Sequence, residues 1–325
     1  MSSRNSKYCG FLRFMSVEVL MYLGLFVVSL IVLLKASDWF VDSAEDIGLS
    51  LGISPFIIGV TIVAFGTSLP ELATSIASVF ANDSKIVVGN VVGSNITNIA
   101  LVLGLVAIVA KEIKLEYNIW HVDMPYLWGS AFLLWLSIRD AHFSLFEAIL
   151  FLFGIIIFLA YSFKSNAPDK DQEKHKATTK SYVLLVVGGA LVWLGATYTI
   201  EAISQLSLRA GISSEVIALT AVALGTSLPE IIVSLNATKK GKTAIAVGNV
   251  LGSNIFNTYV VMGIPALFGT LEIPPSILEV GLPIMIVISV MFGIVSNNKV
   301  ITRWEGLLLM MFYCFFVVEM FRGAL

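Results

Sequence analysis

Residues 66–71 read Gly66-Thr67-Ser68-Leu69-Pro70-Glu71, and the same six residues return as Gly225-Thr226-Ser227-Leu228-Pro229-Glu230. Both copies lie inside long apolar runs. A carboxylate beside a proline is costly to place in hydrocarbon, and charges at bilayer depth are rare unless they face a cavity or an ion path. Two such placements in one chain point to a shared site.

The surrounding composition is that of a membrane protein. Of 325 residues, 57% are hydrophobic and 13% are charged, against about 25% charged in an ordinary soluble domain. A net charge of −2 gives no reason to expect nucleic-acid binding. Cys9 and Cys314 are too few and too far apart to define a disulfide framework or a metal site. Arg4, Lys7 and Arg13 ahead of an apolar run imitate a signal peptide. The run from Val17 to Leu34 is long enough to span, however, and no small-residue cleavage site follows it. Residues 1–16 are therefore expected to be an N-terminal segment of the chain.

Apolar segments fall at about 17–37, 53–80, 86–110, 122–138 and 143–163, and again at about 182–203, 212–238, 243–270, 277–296 and 304–321. Residues 164–181 between the two sets are polar and charge-mixed, a composition that stays solvated. The expectation is an all-α membrane protein of ten transmembrane helices, divided as 17–163 and 182–325 around a linker. Sliding the chain by 159 residues aligns the two sets without a gap. Between residues 38–98 and 197–257, 25 of 61 positions are identical. An odd number of spans in each half makes the copies inverted repeats, an architecture whose substrate sites lie near the midplane where broken helices meet. With ten spans, 13 of the 20 basic residues fall on the side of the linker. The positive-inside rule then places the linker in the cytoplasm and both termini outside, although Arg4, Lys7 and Arg13 taken alone favour the reverse.

Pro70 and Pro229 lack an N–H, so each deprives the carbonyl four residues earlier of its helical partner and crowds that turn. The second and seventh helices should break there. Freed carbonyls at membrane depth are tolerated only where protein or a cavity satisfies them, and a hard cation serves the same purpose. Thr67 and Ser68 share a helical face with Glu71, as Thr226 and Ser227 do with Glu230. In the following helices Ser94 pairs with Asn98 and Ser253 with Asn257 at the same spacing. Gly89, Gly93, Gly248 and Gly252 are small pairs that let helices approach closely. Ca²⁺ takes about 6 to 8 oxygens; two bidentate glutamates and two freed carbonyls reach the lower bound. Two carboxylates also balance one divalent ion.

The paired stretches GTSLPE…GNVVGSNITN and GTSLPE…GNVLGSNIFN resemble the two α-repeats of the cation/Ca²⁺ antiporter superfamily, closest to the prokaryotic sodium/calcium exchangers. The resemblance implies a Ca²⁺ site at Glu71 and Glu230 with the carbonyls of Thr67 and Thr226. It also implies Na⁺ sites at Ala64, Ser68, Ser94, Ala223, Ser227 and Ser253, and a central polar position at Asn98 and Asn257. Some relatives carry an aspartate where this chain has Asn257, and in the potassium-dependent branch an acid there goes with K⁺ use. Both positions are asparagine here, which argues against K⁺ coupling. The proton-coupled calcium exchangers resemble the chain less, because they usually place an acid after the Gly-Asn pair, where Val91 stands.

Plainer readings apply to some of these residues. Ser94 and Ser253 serve equally as small packing residues bonding back to their helix, and Asn90 and Asn249 read as structural rather than as ligands. Thr74, Ser75 and Ser234 stay off the site list, while Asp38, Asp42, Glu45 and Asp46 read as an acidic helix end in water. Arg139, Asp140, His121 and His142 read as solvated loop residues.

What is expected is an electrogenic antiporter in the plasma membrane, with Na⁺ and Ca²⁺ as substrates, the bilayer as its only implied partner and no cofactor. The resemblance implies three Na⁺ per Ca²⁺. Alternatives are an H⁺/Ca²⁺ exchanger on the same glutamates, a potassium-dependent exchanger, a passive channel and a non-transporting receptor. No nucleophile–base pair or metal triad stands at the motif positions, so no enzyme is expected.

Overall fold

The computed structural model describes residues 17–115, 117–165, 176–209 and 225–324. The N-terminal segment, most of the linker and the first half of the expected seventh helix, with Ala223, lie outside them.

Helix α1 (Val17–Ser50) runs thirteen residues beyond the expected span, through Asp38, Asp42, Glu45 and Asp46. Nothing in that stretch breaks a helix until Gly52, which takes a left-handed φ of 74° and ends it. Helix α6 (Thr179–Arg209) lies along α1. Gly188 and Gly195 permit that approach: a Cβ at Gly195 would stand 2.9 Å from the Cα of Leu33.

Helix α2 (Pro55–Phe80) is capped by Ser54, whose hydroxyl accepts from the Ile57 N–H at 3.4 Å. It widens to a π-turn over Gly59–Val63 and breaks at Ser68 (φ −90°, ψ 5°). Leu69 starts the second half, with Pro70 in a first turn that needs no N–H partner. In the second half of the chain, Ser227 (φ −83°, ψ 1°) repeats this break immediately before α7 (Leu228–Lys239).

Helices α3 (Lys85–Ala110) and α8 (Thr243–Ala266) follow their respective broken segments. Then come α4 (Asp123–Ser137), α5 (Leu145–Ser165), α9 (Ile277–Ser296) and α10 (Arg303–Ala324). Among the described residues seven helices are long and apolar enough to cross a membrane: α1, α2, α3, α5, α6, α8 and α9. Helix α4 has only 15 residues, the described part of α7 only 12, and α10 carries Arg303, Glu305, Glu319 and Arg322.

The interior belongs to the motif helices. The most apolar window of α8 is 100% buried and that of α3 78%, against 22% for α1 and 28% for α5 and α6. Gly248 and Gly252 explain the burial of α8 against α2. A Cβ on Gly248 would lie 2.4 Å from the Phe56 carbonyl oxygen, and one on Gly252 2.2 Å from that of Val60. The positions that the repeat would set against Gly89 and Gly93 fall at 215–223, outside the described residues.

Two short antiparallel ribbons join loops that are far apart in the chain and have no counterpart in the sequence reading. Strand β1 (Glu112–Lys114) pairs with β4 (Val300–Thr302), and β2 (His142–Phe143) with β3 (Leu271–Glu272).

Candidate functional site

At the break in α2 and the break before α7, both motif segments turn their polar residues inward. Glu71, Glu230, Ser68, Ser227, Ser253, Asn98, Asn257 and Ala64 have no exposed surface, and Thr67 and Ser94 are almost fully buried. Thr226 is half-buried.

Hydrogen bonds cross between the two halves in matching pairs. The Thr67 hydroxyl donates to Oδ1 of Asn249 at 3.1 Å, and the Thr226 hydroxyl to Oδ1 of Asn90 at 3.2 Å. Thr67 also meets the Ser253 hydroxyl at 3.5 Å, and Thr226 that of Ser94 at 3.3 Å. Each asparagine turns its amide nitrogen back to its own half: Asn90 donates to Ser75 Oγ and to the Glu71 carbonyl, Asn249 to Ser234 Oγ. The correspondence stops at the carboxylates. Ser68 donates to Oε1 of Glu230 at 3.1 Å, whereas neither Ser227 Oγ nor either carboxylate oxygen of Glu71 has a hydrogen-bond partner among the described residues.

Oε2 of Glu230 and both amide atoms of Asn98 and Asn257 are likewise buried without a partner. Each such atom costs about 1–3 kcal/mol, and a charged one more. The oxygens among them, gathered at one break, suit something that supplies positive charge and takes up their lone pairs, as a cation does, whereas the two amide nitrogens need an acceptor. Among the described residues no group of three or more His, Cys, Asp or Glu is placed to hold a metal ion; what this place offers a cation is two carboxylates and neutral oxygens.

Asn98 and Asn257 sit in the first turn of a widened stretch, Thr97–Leu103 in α3 and Asn257–Val261 in α8. Such π-turns are frequent at functional sites. No sequence signal for the widening was visible. Ser75 and Ser234, left off the expected list, are the anchors of Asn90 and Asn249; their identity across the repeat was the available signal.

The acidic end of α1 is not simply solvated. Lys240 pairs with Asp38 and Asp42 at 3.0 and 2.8 Å, and Lys242 with Asp42 and Glu45 at 2.6 and 2.7 Å. Partial burial pulls the Lys242 ammonium down, but the hydrogen bonds and charges of Asp42 and Glu45 outweigh it and hold it above lysine's ordinary value.

Apolar crossing helices, a duplicated broken segment and buried carboxylates at the break define a multi-pass membrane protein of the secondary-transporter class. Comparison with known proteins is specific. The family model for the sodium/calcium exchanger protein matches residues 21–164 and 180–322, and the chain belongs to that family of membrane antiporters. It is 35% identical to the sodium/calcium exchanger MaX1 of Methanosarcina acetivorans, over 90% of this chain and 96% of that one. It is 33% identical to an uncharacterized membrane protein, MJ0091, of Methanocaldococcus jannaschii, over 92% and 98%. Among solved structures it is similar to the sodium-calcium exchanger NCX_Mj soaked with Na⁺ and Sr²⁺. That match has a TM-score of 0.82 and 34% identity, covering 92% of this chain and 99% of that one.

Proposed function

We propose that this protein exchanges Na⁺ for Ca²⁺ by alternating access, at one site assembled from its two GTSLPE segments. The observation that carries the proposal is the convergence of two fully buried glutamates, with three of their four carboxylate oxygens unpartnered, on a pair of broken helices. Glu71 and Glu230 with the carbonyls of Thr67 and Thr226 hold Ca²⁺. Ala64, Ser68, Ser94, Ala223, Ser227 and Ser253 hold flanking Na⁺, with Asn98 and Asn257 between them. Two carboxylates cannot satisfy Ca²⁺ and the full Na⁺ load together, so competition couples the fluxes. Three Na⁺ per Ca²⁺ moves one net charge, worth about 2.3 kcal/mol per 100 mV.

The site sits in ten crossings, five in each inverted repeat, with 164–181 as linker. Parity of the ribbons supports this count. Because β2 and β3 are paired, they lie on one side, and the chain between them crosses an even number of times. Helices α5, α6 and α8 supply three crossings, so α7, which stands between α6 and α8, belongs to a fourth. Between β1 and β4 the same rule makes α4 a crossing. The linker faces the cytoplasm of a plasma membrane, by the distribution of lysine and arginine. Asparagine at both 98 and 257 supports a cycle without K⁺.

The test is ⁴⁵Ca²⁺ uptake into proteoliposomes with Na⁺, K⁺ and pH gradients imposed singly. A Na⁺ gradient should suffice for the wild type, and Glu71→Gln or Glu230→Gln should abolish uptake. Uptake driven by pH without Na⁺ would replace the proposal with H⁺/Ca²⁺ exchange, and retained uptake in either variant would sink the shared site.

A further inference from the structure

We infer that Asn90 and Asn249 are positioning residues of the cation site. Each is the amide that locks a broken helix of its own repeat to the motif threonine of the other, without itself touching a cation. This rests on the reading of the GTSLPE segments as that site.

Four asparagines lie on the motif faces of α3 and α8, and their bonding divides them. Asn98 and Asn257 are fully buried with both amide atoms unpartnered. Asn90, eight residues before Asn98, has nothing left to offer. An amide carries two donor hydrogens and two acceptor lone pairs. Asn90 gives its hydrogens to Ser75 Oγ at 3.1 Å and the Glu71 carbonyl at 3.2 Å, and accepts from Thr226 at 3.2 Å and Ser94 at 3.5 Å. Asn249 makes two of the four matching bonds, to Ser234 at 2.9 Å and from Thr67 at 3.1 Å.

Geometry then assigns the role. The side chains of Thr67 and Thr226 are occupied by the asparagines, so what each threonine presents at the break is fixed from the opposite repeat. The segment carrying Glu71 is tied through Asn90 to Thr226, and the segment carrying Ser234 through Asn249 to Thr67. Each asparagine thus sets the spacing between one repeat's carboxylate segment and the other's backbone turn. Only a side chain that both donates and accepts can do this. Alanine drops every bond, and aspartate keeps the acceptor while losing the donors.

The experiment measures the KM for Ca²⁺ in Na⁺-driven ⁴⁵Ca²⁺ uptake by proteoliposomes of the full chain. The proteins are wild type, Asn249→Ala, Thr67→Val, Thr67→Ser and the double variant Asn249→Ala/Thr67→Val, with the corresponding set at Asn90 and Thr226. KM is expected to rise about tenfold in Asn249→Ala and Thr67→Val, or ~1.4 kcal/mol. Thr67→Ser keeps the hydroxyl that donates to Asn249, so its KM should lie well below that of Thr67→Val. The double variant should fall short of the product of the two single shifts, because the bond between Asn249 and Thr67 can be lost only once. Shifts that multiply in the double variant would make the residues independent and overturn the inference. So would unmoved KM values with only the yield of folded protein reduced, the mark of a purely structural role. Should Asn249→Ala not fold, the contrast of Thr67→Val with Thr67→Ser decides: equal KM values overturn it. A wild type without Na⁺-driven uptake defeats the exchanger reading instead, whereas wild-type uptake with unmoved KM defeats this inference alone.

Discussion

Gly252→Ala adds one methyl group at the tightest contact between α8 and α2. The new carbon would stand 2.2 Å from the Val60 carbonyl oxygen and 2.7 Å from Cβ of Ala64. Ordinary contact begins at 3.4 Å, so the helices must separate by up to about 1.2 Å at Val60. The colliding atom at Val60 is backbone and has no rotamer into which to escape. Overpacking of this kind costs about 1–3 kcal/mol, and the α2 segment it displaces leads through Ala64 into Thr67 and Ser68. If the strain falls on the arrangement that binds ions, kcat/KM for Ca²⁺ should drop about 5- to 150-fold. The control is Gly129→Ala in α4, where an added Cβ meets nothing within 4 Å among the described residues and the helix gains about 0.5–1 kcal/mol. Both variants are compared for folded yield by size-exclusion profile and for initial rates of ⁴⁵Ca²⁺ uptake. Wild-type yield together with wild-type rate in Gly252→Ala would refute the claim that this backbone contact sets the position of the α2 break.

Protons compete with cations for the oxygens of Glu71 and Glu230, so Na⁺-driven uptake should slow reversibly as pH falls from neutral; a flat rate would count against two carboxylates sharing one ion. Lys242, held above its ordinary value, contributes stability that is fully present below about 10.5 and is lost as pH rises past it. Thermal melts at pH 9 and pH 11 should therefore differ by more in the wild type than in Lys242→Gln. Opposed strand residues are close enough for a disulfide, so His142→Cys with Glu272→Cys should cross-link under mild oxidation. The same pair, labelled from outside, should react on the face opposite to Lys114→Cys with Val300→Cys; reaction of both pairs on one face would break the parity that supports ten crossings.

Much of the site was legible because it is written twice. Glu71 and Glu230, their flanking hydroxyls and the prolines that start new helices all lie within short windows whose chemistry is local. Partners across the repeat were not legible. Nothing in the sequence near Asn90 names Thr226, and the spacing that put Asn90 on a structural face left open what it holds. The acidic end of α1 read as a solvated helix end because its neutralising lysines come some two hundred residues later. Burial of Gly248 and Gly252 followed from the small-residue pattern, but the widening at Asn98 and Asn257 did not, since a π-turn has no period to detect.

The ribbons also govern how the chain is made. Strand Glu112–Lys114 leaves the ribosome roughly ten to forty seconds before Val300–Thr302, at ~5–20 residues per second. For more than half of that interval Thr67 lacks Asn249, Asn90 lacks Thr226, and the Glu71 carboxylate stands in a half-built bundle with no counterpart. The first repeat is inserted as an unfinished object, and its polar interior closes only when the second copy arrives.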